Sequence, residues 1–138
     1  MSEGRKTILI AEDDSVIREL LTEMLKTAGY ELLTATDGVE AVETFKNHGK
    51  EVHLVITDIG MPRMNGIEAI IFIRGMSSSV PIIICSIWEE QSYMKIAKQV
   101  KVREYVKKPF DVHDLIQKIR ETLFNDPPLQ PIPVAVTT

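Results

Sequence analysis

An aspartate that follows an apolar run is the residue best placed to do chemistry in this sequence. Residues 52–57 form a short run rich in β-branched side chains, which predicts a buried strand, and Asp58 comes directly after them. Residues 59–66 contain a proline and an Asn-Gly pair, which predict a loop. In open α/β sheets, reacting groups lie where a loop follows the carboxyl end of a strand. Asp58 is therefore either a reactive carboxylate or a simple loop cap, and other residues must decide.

Four further apolar runs predict strands, and each of them also ends on polar side chains. The runs are residues 7–11, 30–36, 80–87 and 104–107. The first ends at Glu12, Asp13 and Asp14, the second at Thr36 and Asp37, the third at Ser86 and the fourth at Lys108. If the strands are ordered 2-1-3-4-5, the first and third are neighbours, because the chain reverses its direction of winding between them. Glu12, Asp13 and Asp58 then converge, flanked by Ser86 and Lys108.

Carboxylates grouped in this way predict a cation site. Two unit charges about 4 Å apart interact at roughly 4 kcal/mol at an effective dielectric constant near 20, so the group needs positive charge among its members. All-oxygen ligands with room for water favour Mg²⁺. A carboxylate beside such a metal can attack phosphorus and form an acyl phosphate. The Ser86 hydroxyl and the Lys108 ammonium can then bind phosphoryl oxygens.

Helical patterns between the strands supply the scaffold for these side chains. Apolar stripes predict helices from Val16 to a stop at Gly29, from Val39 to near Gly49, from about Asn65 to near Gly75, and over residues 90–100 and 112–123. Ser15, Asp37 and Asp111 are candidate helix caps, Asp14 is a loop residue or cap, and Glu40 follows Asp37 at the spacing of a capping box. Strands that alternate with helices predict an α/β fold with a doubly wound, five-stranded parallel sheet, for which we take the order 2-1-3-4-5.

Length and composition predict an ordinary globular domain. The 138 residues suggest one domain, which we place at residues 1–125, followed by a proline-rich tail or the start of a linker at 126–138. A net charge of −4 and the lack of a basic recognition helix argue against direct binding to nucleic acid. No apolar run is long enough to span a membrane. The single cysteine, Cys85, and an N-terminus unlike a signal peptide predict a cytoplasmic protein.

Four segments together resemble the receiver domain of two-component response regulators. They are ILIAEDD at 8–14, DIGMPRMNG at 58–66, PIIICS at 81–86 and YVKKPF at 105–110, and the resemblance covers about residues 6–125. It implies a (βα)5, flavodoxin-like fold and a role in a phosphorelay, with a histidine kinase or phosphotransfer protein as the phosphoryl donor. Such a domain is not an enzyme in the ordinary sense, since at most it catalyses its own phosphorylation and dephosphorylation.

The resemblance also implies roles for individual residues. Asp58 matches the phosphoacceptor of the family. The implied Mg²⁺ ligands are Glu12, Asp13, Asp58 and the backbone carbonyl of Gly60. Ser86 and Lys108 match the residues that contact the phosphoryl group, and the Lys108-Pro109 peptide bond is expected to be cis. Tyr105 matches the aromatic switch residue.

The implied switch repacks one face of the domain. Ser86 moves toward the phosphoryl group, Tyr105 turns into the vacated space, and the face made by the fourth helix, the fifth strand and the fifth helix rearranges. The sequence does not identify the effector or output domain that reads this face, and it leaves homodimerisation through the same face open.

Two positions depart from the family pattern. Ile87 follows Ser86 where the family normally has a small residue, and Trp88 comes next. One hypothesis is that these two residues shield the acyl phosphate from water. The alternatives are that both residues only pack against their neighbours, or that they impair phosphorylation and leave an interaction module. In addition, Lys101-Val102 replaces the usual Gly-Ala before the fifth strand, which predicts an unusual turn and a shifted or mobile fourth helix.

Two other classes of protein fit less well. A phosphatase of the aspartyl-phosphate type would need a second acid near the nucleophile, but Gly60 stands two residues after Asp58. A flavodoxin-like cofactor binder would need a loop rich in Ser, Thr or Gly after the first strand to hold a phosphate. Residues 12–14 are all acidic and would repel a phosphate in the absence of a metal.

Overall fold

A computed structural model of the chain describes residues 5–87 and 90–124. Its strands are β1 (Thr7–Ala11), β2 (Glu31–Ala35), β3 (Val52–Thr57), β4 (Ile82–Ser86) and β5 (Glu104–Lys107). Its helices are α1 (Ser15–Thr27), α2 (Gly38–His48), α3 (Gly66–Met76), α4 (Gln91–Gln99) and α5 (Val112–Phe124), with one 3₁₀ turn at Gly49–Glu51. The predicted alternation of strands and helices is confirmed.

The strands form one parallel sheet of order β2-β1-β3-β4-β5, as predicted. β1 pairs with both β2 and β3, and Ala11 at its end lies level with Ala35 and Thr57. The residues that follow these three strands therefore begin at the same edge of the sheet, which is what brings polar side chains from distant parts of the chain together.

Helices cover both faces of the sheet. Ile8 and Ile10 belong to a core cluster with residues of α1 and α5, whereas Leu9 and Ala11 belong to a second cluster with residues of α2, α3 and α4. Because successive side chains of a strand point to opposite faces, a strand buried on both sides must be apolar throughout. This is why β1 and β4 appear in the sequence as continuous apolar runs.

The start of α1 decides between two candidate caps. Asp14, and not Ser15, is the N-cap: its carboxylate accepts hydrogen bonds from the backbone N–H groups of Val16 and Ile17. Ser15 is already the first helical residue. Both residue types are good caps, so the sequence alone could not separate these adjacent positions. The predicted stop after α1 is confirmed, since Gly29 has φ of 102°.

The other helix starts follow the predicted chemistry with one change. Asp37 accepts a hydrogen bond from the N–H of Glu40, but the Glu40 carboxylate accepts from the N–H of Thr36 and does not close a capping box on Asp37. A complete capping box forms instead at α3, between Asn65 and Glu68. The predicted cap at Asp111 is confirmed by its hydrogen bond from the N–H of Asp114.

Element ends differ from the predictions by one or two residues. β2 and β4 are shorter than the runs 30–36 and 80–87, so Ile87 lies just beyond its strand, and α3 continues past Gly75 to Met76. The two strands end where their ladder hydrogen bonds end, whereas the hydrogen bonds of α3 continue past Gly75. The predicted tail at residues 126–138 lies outside the described residues, and the boundary at 125 stays a prediction.

The turn before β5 is unusual, as predicted. Lys101 has φ of 60°, in the left-handed region that residues other than glycine rarely adopt. The guanidinium of Arg74 on α3 donates hydrogen bonds to the carbonyl groups of Val100 and Lys101, and also to those of Ser77 and Val80. One side chain thus ties the end of α4 to α3 and to the start of β4. The predicted shift or mobility of α4 stays untested.

Within residues 5–87 and 90–124, no helix combines the length and apolar character needed to cross a membrane.

Candidate functional site

Asp58 and Glu12 are fixed side by side by the ends of the sheet ladder. The N–H of Asp58 donates to the carbonyl of Ala11 at 3.0 Å, and the N–H of Glu12 donates to the carbonyl of Ala35 at 3.0 Å. Each acid is therefore the first residue past its strand and is still held by a neighbouring strand. The two side chains are buried at the carboxyl edge of the sheet.

Three acids converge at this edge, as the sequence predicted. Glu12, Asp13 and Asp58 each offer a carboxylate oxygen, and these oxygens all lie within 4.8 Å of one another. Glu12 and Asp58 are buried, whereas Asp13 is exposed. The strand order explains the convergence, because β1 and β3 are neighbours although 40 or more residues of chain separate Glu12 from Asp58.

Lys108 lies between two of the acids. Its Nζ donates hydrogen bonds to Glu12 Oε1 at 2.6 Å and to Asp58 Oδ2 at 2.9 Å, and all three side chains are nearly buried. The backbone N–H of Lys108 donates to the carbonyl of Ser86, which carries the β4–β5 ladder one residue past the strands. The Lys108-Pro109 peptide bond is cis, as expected.

The pKa values of Glu12 and Lys108 are both raised, for different physical reasons. Burial raises the pKa of the Glu12 carboxyl above its ordinary value of 4.5, although hydrogen bonds from Lys108 and from the N–H of Asp14 oppose the shift. Burial alone would lower the pKa of Lys108. The hydrogen bonds to Glu12 and Asp58 outweigh that effect and raise this pKa above 10.5, so the ammonium is the stable form.

Backbone N–H groups bind the remaining carboxylate oxygens. Asp58 Oδ1 accepts from the N–H of Ile59 at 2.6 Å and approaches the N–H of Gly60 at 3.4 Å. Glu12 Oε2 accepts from the N–H of Asp14 at 3.1 Å. Hydrogen bonds of this kind set the direction of each carboxylate before any ligand arrives.

The group fits a hard divalent cation. Lys108 supplies one positive charge against three carboxylates, which leaves two negative charges uncompensated. The available ligand atoms are all oxygens, and the exposed Asp13 leaves one side open to water. Mg²⁺ prefers such a partly hydrated set of one or two carboxylates, so the residues present fit this metal.

The other predicted site residues lie on β4, on β5 and in the loop after Asp58. Ser86 ends β4 and is fully buried, and Gly60 lies in the loop directly after Asp58. Tyr105 is half-buried on β5 and packs against the core cluster that includes Ala97 of α4. Ile87 is 65% exposed, and Trp88 lies outside the described residues.

Two residues near the site were not predicted from the sequence. Tyr93 of α4 lines a cavity of about 270 Å³ together with Asp13, Gly60 and Asn65. Arg18 of α1 donates a hydrogen bond to the carbonyl of Glu12 at 2.7 Å. Tyr93 formed part of an apolar helical stripe and Arg18 part of a polar helix face, so neither carried a local signal of its position at the site.

A parallel sheet of this order, with three acids and a lysine at its carboxyl edge, defines the class of receiver-like α/β domains. A model of the response regulator receiver domain matches residues 8–120. The chain belongs to this family of signalling modules.

Curated relatives include both short and long proteins. The chain is 34% identical over 117 residues to the chemotaxis protein CheY of Bacillus subtilis, which covers 84% of this chain and 96% of that protein. It is 38% identical over 115 residues to the transcriptional regulatory protein PdtaR of Mycobacterium tuberculosis, which covers 83% of this chain and 55% of that protein. The chain thus spans about half the length of PdtaR.

Solved structures show the same similarity. The response regulator TrrA of Thermotoga maritima, in complex with Mg²⁺ and BeF, superposes with a TM-score of 0.75 at 36% identity, covering 86% of this chain and 99% of that one. A chain of the CheX–CheY–BeF3–Mg²⁺ complex of Borrelia burgdorferi superposes with a TM-score of 0.80 at 28% identity, covering 86% of this chain and 89% of that one.

Proposed function

We propose that this receiver domain accepts a phosphoryl group on Asp58 from a histidine kinase or a phosphotransfer protein. The observation that carries the proposal is the hydrogen bond from Lys108 Nζ to Asp58 Oδ2 beside the carboxylates of Glu12 and Asp13. A structural loop cap would not need two further acids and a buried ammonium around it. The arrangement suits a group that must react with an anion.

The reaction forms one bond and breaks one. A carboxylate oxygen of Asp58 attacks the phosphorus of the phosphohistidine, the P–N bond breaks, and the imidazole leaves with its electron pair and takes up a proton. The product on this chain is an acyl phosphate. Lys108 stays protonated because its pKa is raised, so its ammonium can pair with a phosphoryl oxygen as charge builds up there.

Glu12, Asp13, Asp58 and the backbone carbonyl of Gly60 are the proposed ligands of Mg²⁺. When bound, the metal supplies positive charge that offsets repulsion between the carboxylates and the incoming phosphoryl group. The N–H of Ile59 holds Asp58 Oδ1, so this oxygen keeps its direction while Oδ2 exchanges its contact with Lys108 for other partners. Ser86 is buried at the end of β4, where its hydroxyl can serve as a further donor.

Signal output is proposed to pass through Ser86 and Tyr105. Ser86 is drawn toward the phosphoryl group, and Tyr105, which is half-buried beside α4, turns further inward. The face formed by α4, β5 and α5 then shifts its population between two arrangements. The effector, the output domain and any homodimer that would use this face are not identified by this proposal. The proposal also includes a receiver domain at residues 1–125, a tail or linker at 126–138 and a cytoplasmic location.

Ile87 and Trp88 bear on the lifetime of the acyl phosphate. The shielding hypothesis requires that these side chains restrict water at Asp58, and the alternative hypothesis requires that they restrict phosphorylation itself. The side chain of Ile87 is largely exposed, so its position supports neither shielding of Asp58 from water nor blocking of access to Asp58. A double variant, Ile87→Ala with Trp88→Ala, tests both ideas. Unchanged rates of phosphorylation and dephosphorylation would remove both roles.

Incubation with acetyl phosphate and MgCl₂, followed by intact-mass spectrometry, tests the proposed function. We expect the parent protein to gain the mass of one phosphoryl group and the Asp58→Asn variant to gain none. Chelation of the metal with EDTA should also prevent the gain. A parent protein that gains no mass, or an Asp58→Asn variant that gains as much as the parent, would refute the proposal.

A further inference from the structure

The amino end of α2 contacts the loop that follows the proposed phosphoacceptor. This loop, residues 59–65, begins directly after Asp58 and ends at Asn65, the N-cap of α3. Asp37 is buried at the end of β2, on the far side of β1 from β3. Like the acids of the site it follows a strand, but neither the metal site nor the phosphoryl chemistry uses it.

One carboxylate joins the two elements. Asp37 Oδ1 accepts from the N–H of Glu40 at 2.8 Å and so caps α2, while Asp37 Oδ2 accepts from Arg63 Nε at 2.9 Å. The N–H of Glu40 and the Arg63 guanidinium lower the pKa of Asp37 below its ordinary value of 3.8, so the carboxylate is charged at neutral pH.

A second contact lies beside the ion pair. The N–H of Gly38 donates to the carbonyl of Met64 at 3.1 Å, and a Cβ atom at Gly38 would overlap the same carbonyl oxygen. Only glycine allows this approach. Arg63 itself has φ of 67°, in the left-handed region, so the loop holds a conformation that an isolated chain would rarely populate.

The other end of the loop is closed on Asp58. The N–H of Gly66 donates to the carbonyl of Ile59 at 2.8 Å, and a Cβ atom at Gly66 would overlap the carbonyl oxygen of Asp58. Residues 60–62 are therefore held between a contact to α2 and a contact to Asp58. Gly60, whose backbone carbonyl is a proposed metal ligand, lies within this short segment.

We propose that Asp37 and Arg63 are positioning residues for the metal-binding loop: their ion pair fixes residues 60–62 so that the Gly60 carbonyl is in place before Mg²⁺ arrives. Neither residue touches the metal in this proposal. It rests on the proposed function, because it takes Gly60 and Asp58 as ligands. If the loop is not ordered in advance, the ligand must order it, and this cost lowers the binding affinity.

Titration of the full chain with MgCl₂ by isothermal calorimetry tests the proposal without any need for phosphorylation. Arg63→Gln removes the ion pair, and Asp37→Ser removes it while keeping a good helix cap. We expect each variant to weaken Mg²⁺ binding by about two- to fivefold, the range in affinity that corresponds to an ion pair at the protein surface. The double variant should be no weaker than either single variant, because both remove the same contact. Arg63→Lys should recover part of the affinity.

Arg5→Gln is the matched control. It removes another ion pair that joins two parts of the chain, Arg5 to Glu31 at 3.4 Å, at the opposite edge of the sheet from the site. This variant should bind Mg²⁺ like the parent. Folded Arg63→Gln and Asp37→Ser variants that bind Mg²⁺ with the parent's affinity would overturn the positioning role and leave the proposed function intact. A parent that binds no Mg²⁺ would overturn both.

Discussion

The ammonium nitrogen of Lys108 lies 2.9 Å from Asp58 Oδ2, within hydrogen-bond distance of the carboxylate that we propose as the phosphoacceptor. The same nitrogen lies 2.6 Å from Glu12 Oε1. Lys108 thus compensates part of the negative charge that the sheet brings together at this edge. Its removal should leave buried carboxylates without their nearest cation.

Lys108→Gln should destabilise the protein by about 3 kcal/mol in the absence of divalent metal, because an uncompensated buried charge is costly. Urea unfolding at pH 7 measures the change in the free energy of unfolding. Added MgCl₂ should restore part of the loss, since the metal supplies the missing positive charge. Lys118→Gln, which breaks an exposed pair with Asp114 on α5, is the control and should cost less than about 0.5 kcal/mol.

The pH dependence of this difference follows from the raised pKa of Lys108. A raised folded-state pKa contributes stability that is present below the ordinary value of 10.5 and is lost as pH rises through the folded-state value. The gap between the parent and Lys108→Gln should therefore stay constant from neutral pH up to about pH 10. A gap that closes well before that pH would show that the Lys108 pairs do not stabilise the fold as described.

Asp13→Asn should raise thermal stability when no metal is present. Asp13 is the exposed acid of the three, and its charge repels two carboxylates within 4.8 Å. Relief of that repulsion is worth about 1 kcal/mol near water, which corresponds to an increase in Tm of roughly 2–6 °C. Glu23→Gln, an exposed position on α1, should leave Tm unchanged.

The same variant should respond less to metal. MgCl₂ is expected to raise the Tm of the parent and to raise that of Asp13→Asn by a smaller amount, because one proposed ligand is gone. Thermal scans with and without MgCl₂ measure both effects. If Asp13→Asn were less stable than the parent without metal, repulsion among the three carboxylates would not be a cost of this fold.

Gly66→Ala should distort the loop after Asp58. A Cβ atom there would overlap the backbone of Asp58, so something in the loop must move, at a cost of about 2–3 kcal/mol. Gly75→Ala on the same helix is the matched control, since a Cβ atom at Gly75 meets nothing within 4 Å. This control should stabilise the protein by about 0.5–1 kcal/mol through helix propensity. Equal effects of the two substitutions in urea unfolding would contradict the close approach at Gly66.

Lys101→Gly should stabilise the protein slightly. Lys101 has φ of 60°, and relief of the left-handed conformation outweighs the extra chain entropy of glycine by about 0.5 kcal/mol. The same substitution three residues earlier, Lys98→Gly, falls inside α4 and should cost about 1 kcal/mol. Opposite signs in urea unfolding are the expected result. A loss at Lys101 as large as that at Lys98 would mean that the turn does not adopt the left-handed geometry.

The fold and the edge that carries the site could be predicted because their signals are local. The strand before Asp58 is buried at every residue except His53, so it stands out in the sequence as a mainly apolar run that stops at Asp58. Right-handed crossovers and one reversal of the winding direction place the carboxyl ends of the strands at one edge, and the order 2-1-3-4-5 of receiver-like domains then places Glu12 beside Asp58.

Contacts between distant side chains could not be predicted in the same way. Arg63 pairs with Asp37, and Arg74 binds carbonyls near residue 100, each across 26 or more residues of chain. Such pairs depend on how helices sit relative to one another and leave no periodic pattern in the sequence. The N-cap of α1 was left open for a different reason, because Asp14 and Ser15 are both suitable cap residues and only the backbone geometry separates them.

Chemical trapping of the acyl phosphate tests the central claim most directly. The protein is incubated with acetyl phosphate and MgCl₂ and then treated with borohydride, which reduces an acyl phosphate to an alcohol and releases phosphate. Peptide mass spectrometry then locates the modified side chain. The account predicts homoserine at position 58, dependent on both acetyl phosphate and metal. Modification at another acid with Asp58 intact, or no modification in a folded, metal-loaded protein, would contradict it.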